Sequence, residues 1–385
     1  MTKRYALTGA RIFDGEEWHN DAALVVGDGI VEGVIAADFP TDVERVALHG
    51  GLLVPGFVDL QINGAGGAQF NEAPSLESIR TICRTSHRFG TTACLPTLIT
   101  DTAETMDRAV EAGLAAVREG VPGFVGLHLE GPHLGIARKG AHDPALIRPF
   151  SDNDLQRMIH ARSGMPCVLT TLAPESVTVE EIATIVGAGV VVSIGHSDAP
   201  YDDVAEAVVA GATMVTHLFN AQSQMGSREP GVVGAALDFG ELSAGVIADG
   251  IHVHPTTLAA ALRAKRGPGR IFLVTDAMAP TGTEAESFVL NGRTVLRRGG
   301  ALRLADGTLA GADLTMIGAI QYAHRVLGLE LGDALRMASL YPAQAVHLDE
   351  RHGHLLRGAR ADMVLLSETL DVRTTWIGGE EVAGR

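Results

Sequence analysis

The sequence predicts an α/β fold, a (β/α)8 barrel carrying a small β domain built from both chain termini. Three observations lead there. Short apolar runs recur eight times through the middle of the chain, most of them followed by a stretch with apolar residues every three to four positions. Both ends lack that alternation and show short apolar runs broken by Gly and Asp, as β-meanders do. No GxGxxG or GxxxxGK[ST] follows the first run, which argues against the open sheets that bind dinucleotides or nucleoside triphosphates. The expected division is 1–54 with 350–385 for the β domain and 55–349 for the barrel, with a β insertion near 284–310.

Taken in order, YALTGARIFDG, AALVVGDGIVEGVIAA and ERVALHGGLLVPG supply the amino-terminal strands. The barrel strands are expected at Phe57–Ile62, Thr92–Leu98, Phe124–Leu129, Cys167–Leu172, Val190–Ile194, Thr213–Leu218, Ser243–Ala248 and Ile271–Thr275. Between the first of these, SLESIRTICRTSHRF and DTAETMDRAVEAGLAAVREG read as helices opening on a capping Ser or Asp. After the eighth, SFVLNGRTVLRRGGALRLADGTLAG reads as an inserted hairpin or small sheet, and LTMIGAIQYAHRVLG and DALRMASLYPAQAV as helices. The closing GHLLRGARADMVLLSETLDVRTTWIGGEEVAG returns to strand texture. Neither terminal piece can bury a face alone, so the two are expected to pair.

Composition narrows the function. With 30 Lys and Arg against 46 Asp and Glu the formal charge is −16, and an acidic surface repels polyanions, so no nucleic-acid partner is expected. An apolar share of 46% supports a large core, and the 46 glycines are scattered as turns require. No apolar window is long enough for a membrane span. Gly9, Arg11 and Asp14 interrupt any secretion-signal core near the amino terminus, which places the expected location in the cytoplasm. Cys83, Cys94 and Cys167 are too few and too widely spaced for a disulfide framework or a metal knuckle, and read as small buried residues.

In such a barrel the site lies at the carboxyl ends of the strands. Those ends carry Glu130 in GLHLEGPH, His196 in SIGHSDA, His217 and Asn220 in THLFNAQ, Asp249 and His252 in ADGIHVH, and Asp276 in LVTDAMAP. Each alone has a plainer reading, a lone His as a hydrogen-bonding group and a lone Asp as a helix cap. Together, one Glu and two His from three strands can surround a divalent ion with a position left for water. Asp276, on the same axis, is then the carboxylate that moves the water proton. His128, two residues before Glu130, faces the same way one layer deeper and reads as supporting structure.

At these residues the sequence resembles the N-acetylglucosamine-6-phosphate deacetylase family, a branch of the amidohydrolases. The resemblance runs from Gly51 to Val364 through LLVPGFVDLQINGAGG, LHLEGPH, SIGHSDA, THLFNAQ, REPG, ADGIHVH, LVTDAMAP, AGADLTM and GARADMVLL; HLEGP, HLFNA and REPG in that order are its specific part. It implies that Glu130, His196 and His217 bind a metal and Asp276 shuttles the proton. It implies further that Asn220 and Ala221 hold the sugar phosphate, that His252 and His142 contact the substrate, and that Arg228 reaches the phosphate in the neighbouring subunit of a homodimer. Arg suits that last role through bidentate contact with phosphate. Where amidohydrolases commonly carry a metal-binding HxH pair, this chain has Asp59-Leu60-Gln61, which favours one metal ion over two. Gln61 is expected to bond a ligand residue or the metal water, and Asp59 to be a buried structural carboxylate or a neighbour of the site. His133 replaces the bulky apolar residue expected after HLEGP, and either lines the pocket or binds nothing. The segment 133–148, with Gly135, Gly140 and Pro144, is expected to form a lid.

The implied activity is metal-dependent deacetylation of N-acetyl-D-glucosamine 6-phosphate. The same chemistry on the galactosamine epimer is the nearest alternative, then hydrolysis of a cyclic amide, then a binding protein with a decayed site. One divalent ion per subunit is expected, zinc first, with iron, cobalt, nickel and manganese compatible with the same ligands.

Overall fold

The structure is a computed structural model describing residues 4–36 and 43–384; the end of the second amino-terminal run, at Ala37, lies outside them. Eight parallel strands form one sheet in sequential order: β1 (Phe57–Ile62), β2 (Thr91–Ile99), β3 (Gly126–Glu130), β4 (Cys167–Leu172), β5 (Val191–Ile194), β6 (Met214–Val215), β7 (Ser243–Val246) and β8 (Ile271–Leu273). The sheet curls until its first and last strands meet: Asp276 N donates to Gln61 O at 2.9 Å and Asn63 N to Ala277 O at 2.8 Å, just past the end of β8. β1, β2 and β4 are buried along their whole length, as expected of strands covered by helices on one face and by barrel interior on the other.

Helix Leu76–His87 opens on Ser75, whose Oγ accepts from Ser78 N, and buries Ile79, Ile82 and Cys83 against the barrel. The second helix, Ala103–Arg118, corrects the expected cap. Thr102 supplies it, accepting from Thr105 N, while Asp101 accepts from Thr102 N one residue earlier. A capping box of Thr178 and Glu181 starts the helix Val179–Gly187. After β8 the strands Ser287–Leu290, Arg293–Arg298, Ala301–Arg303 and Leu309–Ala312 make an antiparallel sheet standing at the carboxyl end of the barrel. The run DALRMASLYPAQAV is two short helices, Leu331–Ala338 and Leu340–Ala345, broken at Ser339.

The chain ends build two further sheets. Strands Ile30–Ala36, Ala22–Gly27, Arg4–Thr8 and Glu44–Ala47 form one. Glu380–Gly384, Val372–Ile377, Met363–Leu366, Leu52–Pro55, Arg11–Phe13 and Trp18–His19 form the other, in that order. They share a core of Leu7, Leu24, Val26, Leu53, Met363, Leu365 and Trp376, so neither faces water with its apolar side. Among the described residues no helix is long and apolar enough to cross a membrane.

Candidate active site

Glu130 ends β3, and His196, His217 and Asp276 follow β5, β6 and β8 by two or three residues. All except Glu130 have positive φ, +49° for His196, +28° for His217 and +49° for Asp276, and so do Phe219 and Ala221 beside them. Such backbone costs roughly 1–3 kcal/mol per residue outside glycine. The strand ends tolerate it because each turn is pinned: Leu218 N donates to Gly245 O, Ser197 N to Ala221 O, and Ala312 N to Asp276 O.

These side chains meet at one end of a cavity of about 500 Å3. Glu130 Oε1 lies 3.2 Å from His196 Nε2 and 3.0 Å from His217 Nε2, and the two nitrogens are 3.0 Å apart. Ligands of a tetrahedral zinc ion at ~2.0–2.1 Å sit about 3.3 Å from one another, close to this spacing. The protonation pattern agrees with a cation at that point. His196 Nδ1–H donates to Arg138 O at 2.9 Å, so in the neutral ring Nε2 is a lone pair aimed at a carboxylate oxygen and a second imidazole. His217 Nδ1 is buried without a partner among the described residues. Glu130, His142 and His196 also offer ligand atoms within 4.8 Å of one another. His142 Nδ1 is engaged by Thr100, 2.8 Å from its Oγ1 and 3.3 Å from its N. Glu130, His196 and His217 are the three whose ligand atoms lie within 3.2 Å of one another, so they are the residues that fit a metal.

Gln61 Nε2 donates to the same Glu130 Oε1 at 3.0 Å, bonding a candidate ligand residue. Asp59 lies below, fully buried, with Oδ2 accepting from Thr275 Oγ1 at 2.5 Å and Oδ1 from Thr275 N at 3.2 Å. Burial pushes its carboxyl up to about 7. His128 supports the floor: its Nε2 pairs with Thr171 Oγ1 (2.7 Å), which continues to Thr216 Oγ1 (2.6 Å) and Ser193 Oγ (2.6 Å). Burial pushes the Asp276 carboxyl up to about 6, helped by the negative charge of Glu130.

The cavity wall brings together Glu130, His142, His196, His217, Asn220, Ala221, His252 and Asp276. His252 donates Nδ1–H to Asp249 Oδ2 at 2.6 Å, leaving a buried Nε2 with no partner among the described residues. Arg228 is exposed and lies outside the cavity lining of its own chain. His133 is also outside that lining: its Nδ1–H donates to Arg148 O (3.0 Å) and its ring stands edge-on to Phe150. The segment it begins reaches the cavity through Ala137, Arg138, Gly140, Ala141 and His142, and is tied to the His196 turn by Gly135 N to His196 O.

Sequence reading did not single out five contributors. Asn63 donates to Asp276 Oδ1 at 2.6 Å. Glu175, after β4, accepts from Ser197 Oγ (2.6 Å) and Asp198 N (2.7 Å) and so braces the turn of His196. Arg303, Thr308 and Leu309 reach the cavity from the inserted sheet. Asn63 lay in the quoted QINGAGG, whereas the docking of the inserted sheet has no local signal.

Residues 52–382 match the Amidohydrolase family and residues 4–53 the NagA composite domain. An N-acetylgalactosamine-6-phosphate deacetylase of Shewanella sp. is 41% identical over 97% of this chain and 94% of its own length. An N-acetylglucosamine-6-phosphate deacetylase of Haemophilus influenzae is 35% identical, covering 98% and 99%. The crystal structure of N-acetylglucosamine-6-phosphate deacetylase from Pasteurella multocida superposes with a TM-score of 0.94 at 35% identity, covering 98% of this chain and 99% of that one. With a barrel whose strand ends gather a carboxylate and two imidazoles, and with a match over residues 52–382, the chain belongs to the amidohydrolase family.

Proposed function

We propose that this chain hydrolyses the acetamide of N-acetyl-D-glucosamine 6-phosphate to D-glucosamine 6-phosphate and acetate. The observation that carries the reading is the meeting of Glu130 Oε1, His196 Nε2 and His217 Nε2 within 3.2 Å, in one cavity with the Asp276 carboxyl. Glu130, His196 and His217 would hold one divalent ion, and zinc suits one carboxylate and two imidazoles; iron, cobalt, nickel and manganese accept the same donors. Such an ion, when bound, makes water a nucleophile near neutral pH and polarises the acetamide carbonyl.

Asp276 takes the proton of the attacking water and returns it to the nitrogen as the C–N bond breaks. Its Oδ1 is occupied by Asn63, so Oδ2 is the oxygen for that transfer. His142, which lines the cavity, and His252, whose Nε2 has no partner among the described residues, suit the polar groups of the substrate. Asn220 and Ala221 hold the sugar phosphate at the cavity wall, and Arg228 of a second copy reaches it in a homodimer. In support, Arg228 is exposed with no partner among the described residues of its own chain. Gln61 and Asp59 position ligand and strand rather than bind a second ion.

A second reading takes the galactosamine epimer as substrate, favoured by the 41% identity to the Shewanella relative of that name. Acetate release from both 6-phosphates and from unphosphorylated N-acetylglucosamine, measured side by side, tests both. Turnover strongest on the gluco phosphate is expected; preference for the galacto phosphate would replace the substrate, and silence on all three would remove the deacetylase reading.

A further inference from the structure

The Asn63 side chain is fully buried at the end of β1 and lines the cavity. Its Nδ2 is committed to Asp276 Oδ1 at 2.6 Å, while its Oδ1 has no partner among the described residues. The backbone around it is fixed on both sides. Asn63 N donates to Ala277 O at 2.8 Å, Phe70 N donates to Asn63 O at 2.9 Å, and Gly64 N shares Ala277 O at 3.0 Å. Gly64 keeps this turn close, since a Cβ there would stand 2.4 Å from Ala68 O and 2.7 Å from Ala279 N. Asn63 and Asp276 therefore face each other across the seam that closes the barrel, and neither can be moved without opening it.

Building on the proposed deacetylation, we infer that Asn63 Oδ1 accepts a hydrogen bond from the N–H of the scissile acetamide. An acetamide has one donor, that N–H, and a buried carbonyl oxygen at the cavity wall is its natural partner. The balance of the reaction shows what the bond does. The water oxygen bonds to the carbonyl carbon and its proton passes to Asp276. The C–N electron pair then leaves with nitrogen, which takes the proton back from Asp276. Nitrogen must present its lone pair to that carboxyl, and the direction of the lone pair is set by the sugar carbon and the hydrogen already on nitrogen. Oδ1 and Nδ2 belong to one planar amide. The oxygen that holds the N–H and the nitrogen that holds Asp276 are thus fixed relative to each other, and a single side chain places proton donor and leaving nitrogen in register.

The test compares metal-loaded wild type with Asn63→Ala and Asn63→Ser on N-acetylglucosamine 6-phosphate and on the 2-O-acetyl ester of glucose 6-phosphate, whose scissile group has no N–H. For Asn63→Ala, kcat/KM on the amide is expected to fall roughly 100-fold and on the ester less than about tenfold. Metal content, read on the same samples, is expected to match wild type and the thermal midpoint to fall by a few degrees for the one buried hydrogen bond lost; if the Ala variant does not fold, Asn63→Ser carries the comparison. Equal loss on amide and ester, or no loss on the amide, overturns the contact. Wild type that releases no acetate from the amide overturns the proposed function and this contact with it, whereas wild-type turnover with equal losses removes the contact alone.

Discussion

Asp276 and His196 line the same cavity yet are expected to fail in different ways. Asp276→Asn keeps the shape and the hydrogen-bonding edge but cannot take a proton, so kcat is expected to fall roughly 10²–10⁴-fold with metal content unchanged. Turnover equal to wild type would take Asp276 out of proton transfer. His196→Ala removes a nitrogen 3.0–3.2 Å from the other two proposed ligand atoms, and elemental analysis after dialysis is expected to find the variant depleted of metal. Arg228→Ala is expected to raise KM for the phosphorylated sugar several-fold with kcat and fold intact, and an unchanged KM would count against the clamp. Glu130, His196, His217 and Asp276 were legible in the sequence because a barrel delivers strand ends to one place, so they converge without knowledge of any contact; Arg228 was legible only through the resemblance of SREPG. Asn63 and Glu175 were not, because each matters through a partner far away in the chain: Asn63 is 213 positions from Asp276.

At the scale of elements, the ends of β1 and β4 coincide with the ends of their apolar runs. β6 does not: expected over Thr213–Leu218, it stops at Val215, because the positive φ of His217 and Phe219 turns the chain out of the sheet. Hydropathy cannot see that turn, since the residues after it are still apolar. β3, which carries Glu130, depends on a glycine at its first position. Gly126 has φ +148°, and a Cβ there would lie 1.9 Å from the carbonyl oxygen of Cys167 on β4. Gly126→Ala is therefore expected to destabilise the fold by about 3 kcal/mol or more, read as a lower urea midpoint, with activity lost in parallel. A midpoint unchanged from wild type would show that β3 and β4 can separate there without cost.

At the scale of the whole molecule, the barrel and the terminal sheets are joined at His87. It ends the helix after β1, its carbonyl accepts from Thr375 Oγ1 at 2.8 Å, and the charge of Asp362 acts on its ring. Burial pushes the His87 imidazole down to about 4, against an unfolded value near 6.5. The unfolded chain then binds the proton first, so this stability is present above about pH 6.5 and is lost as pH falls towards 4, amounting to about 3 kcal/mol. Thermal midpoints measured from pH 7 to pH 4 are expected to fall, and His87→Phe to flatten the slope; an identical slope in the variant would place the sensitivity elsewhere. The pairing of the two chain ends was expected from their size, but its register was not legible. Leu52–Pro55 lies antiparallel to Met363–Leu366, with Val54 opposite Val364. That pairing sets a timetable for synthesis. The strand at Leu52–Pro55 leaves the ribosome early but cannot complete its sheet until residues some three hundred positions later are made, a wait on the order of tens of seconds. Through that interval the nascent chain exposes an unpaired strand edge, so the growing polypeptide stays open to wrong pairing until after the last strand of its barrel has been made.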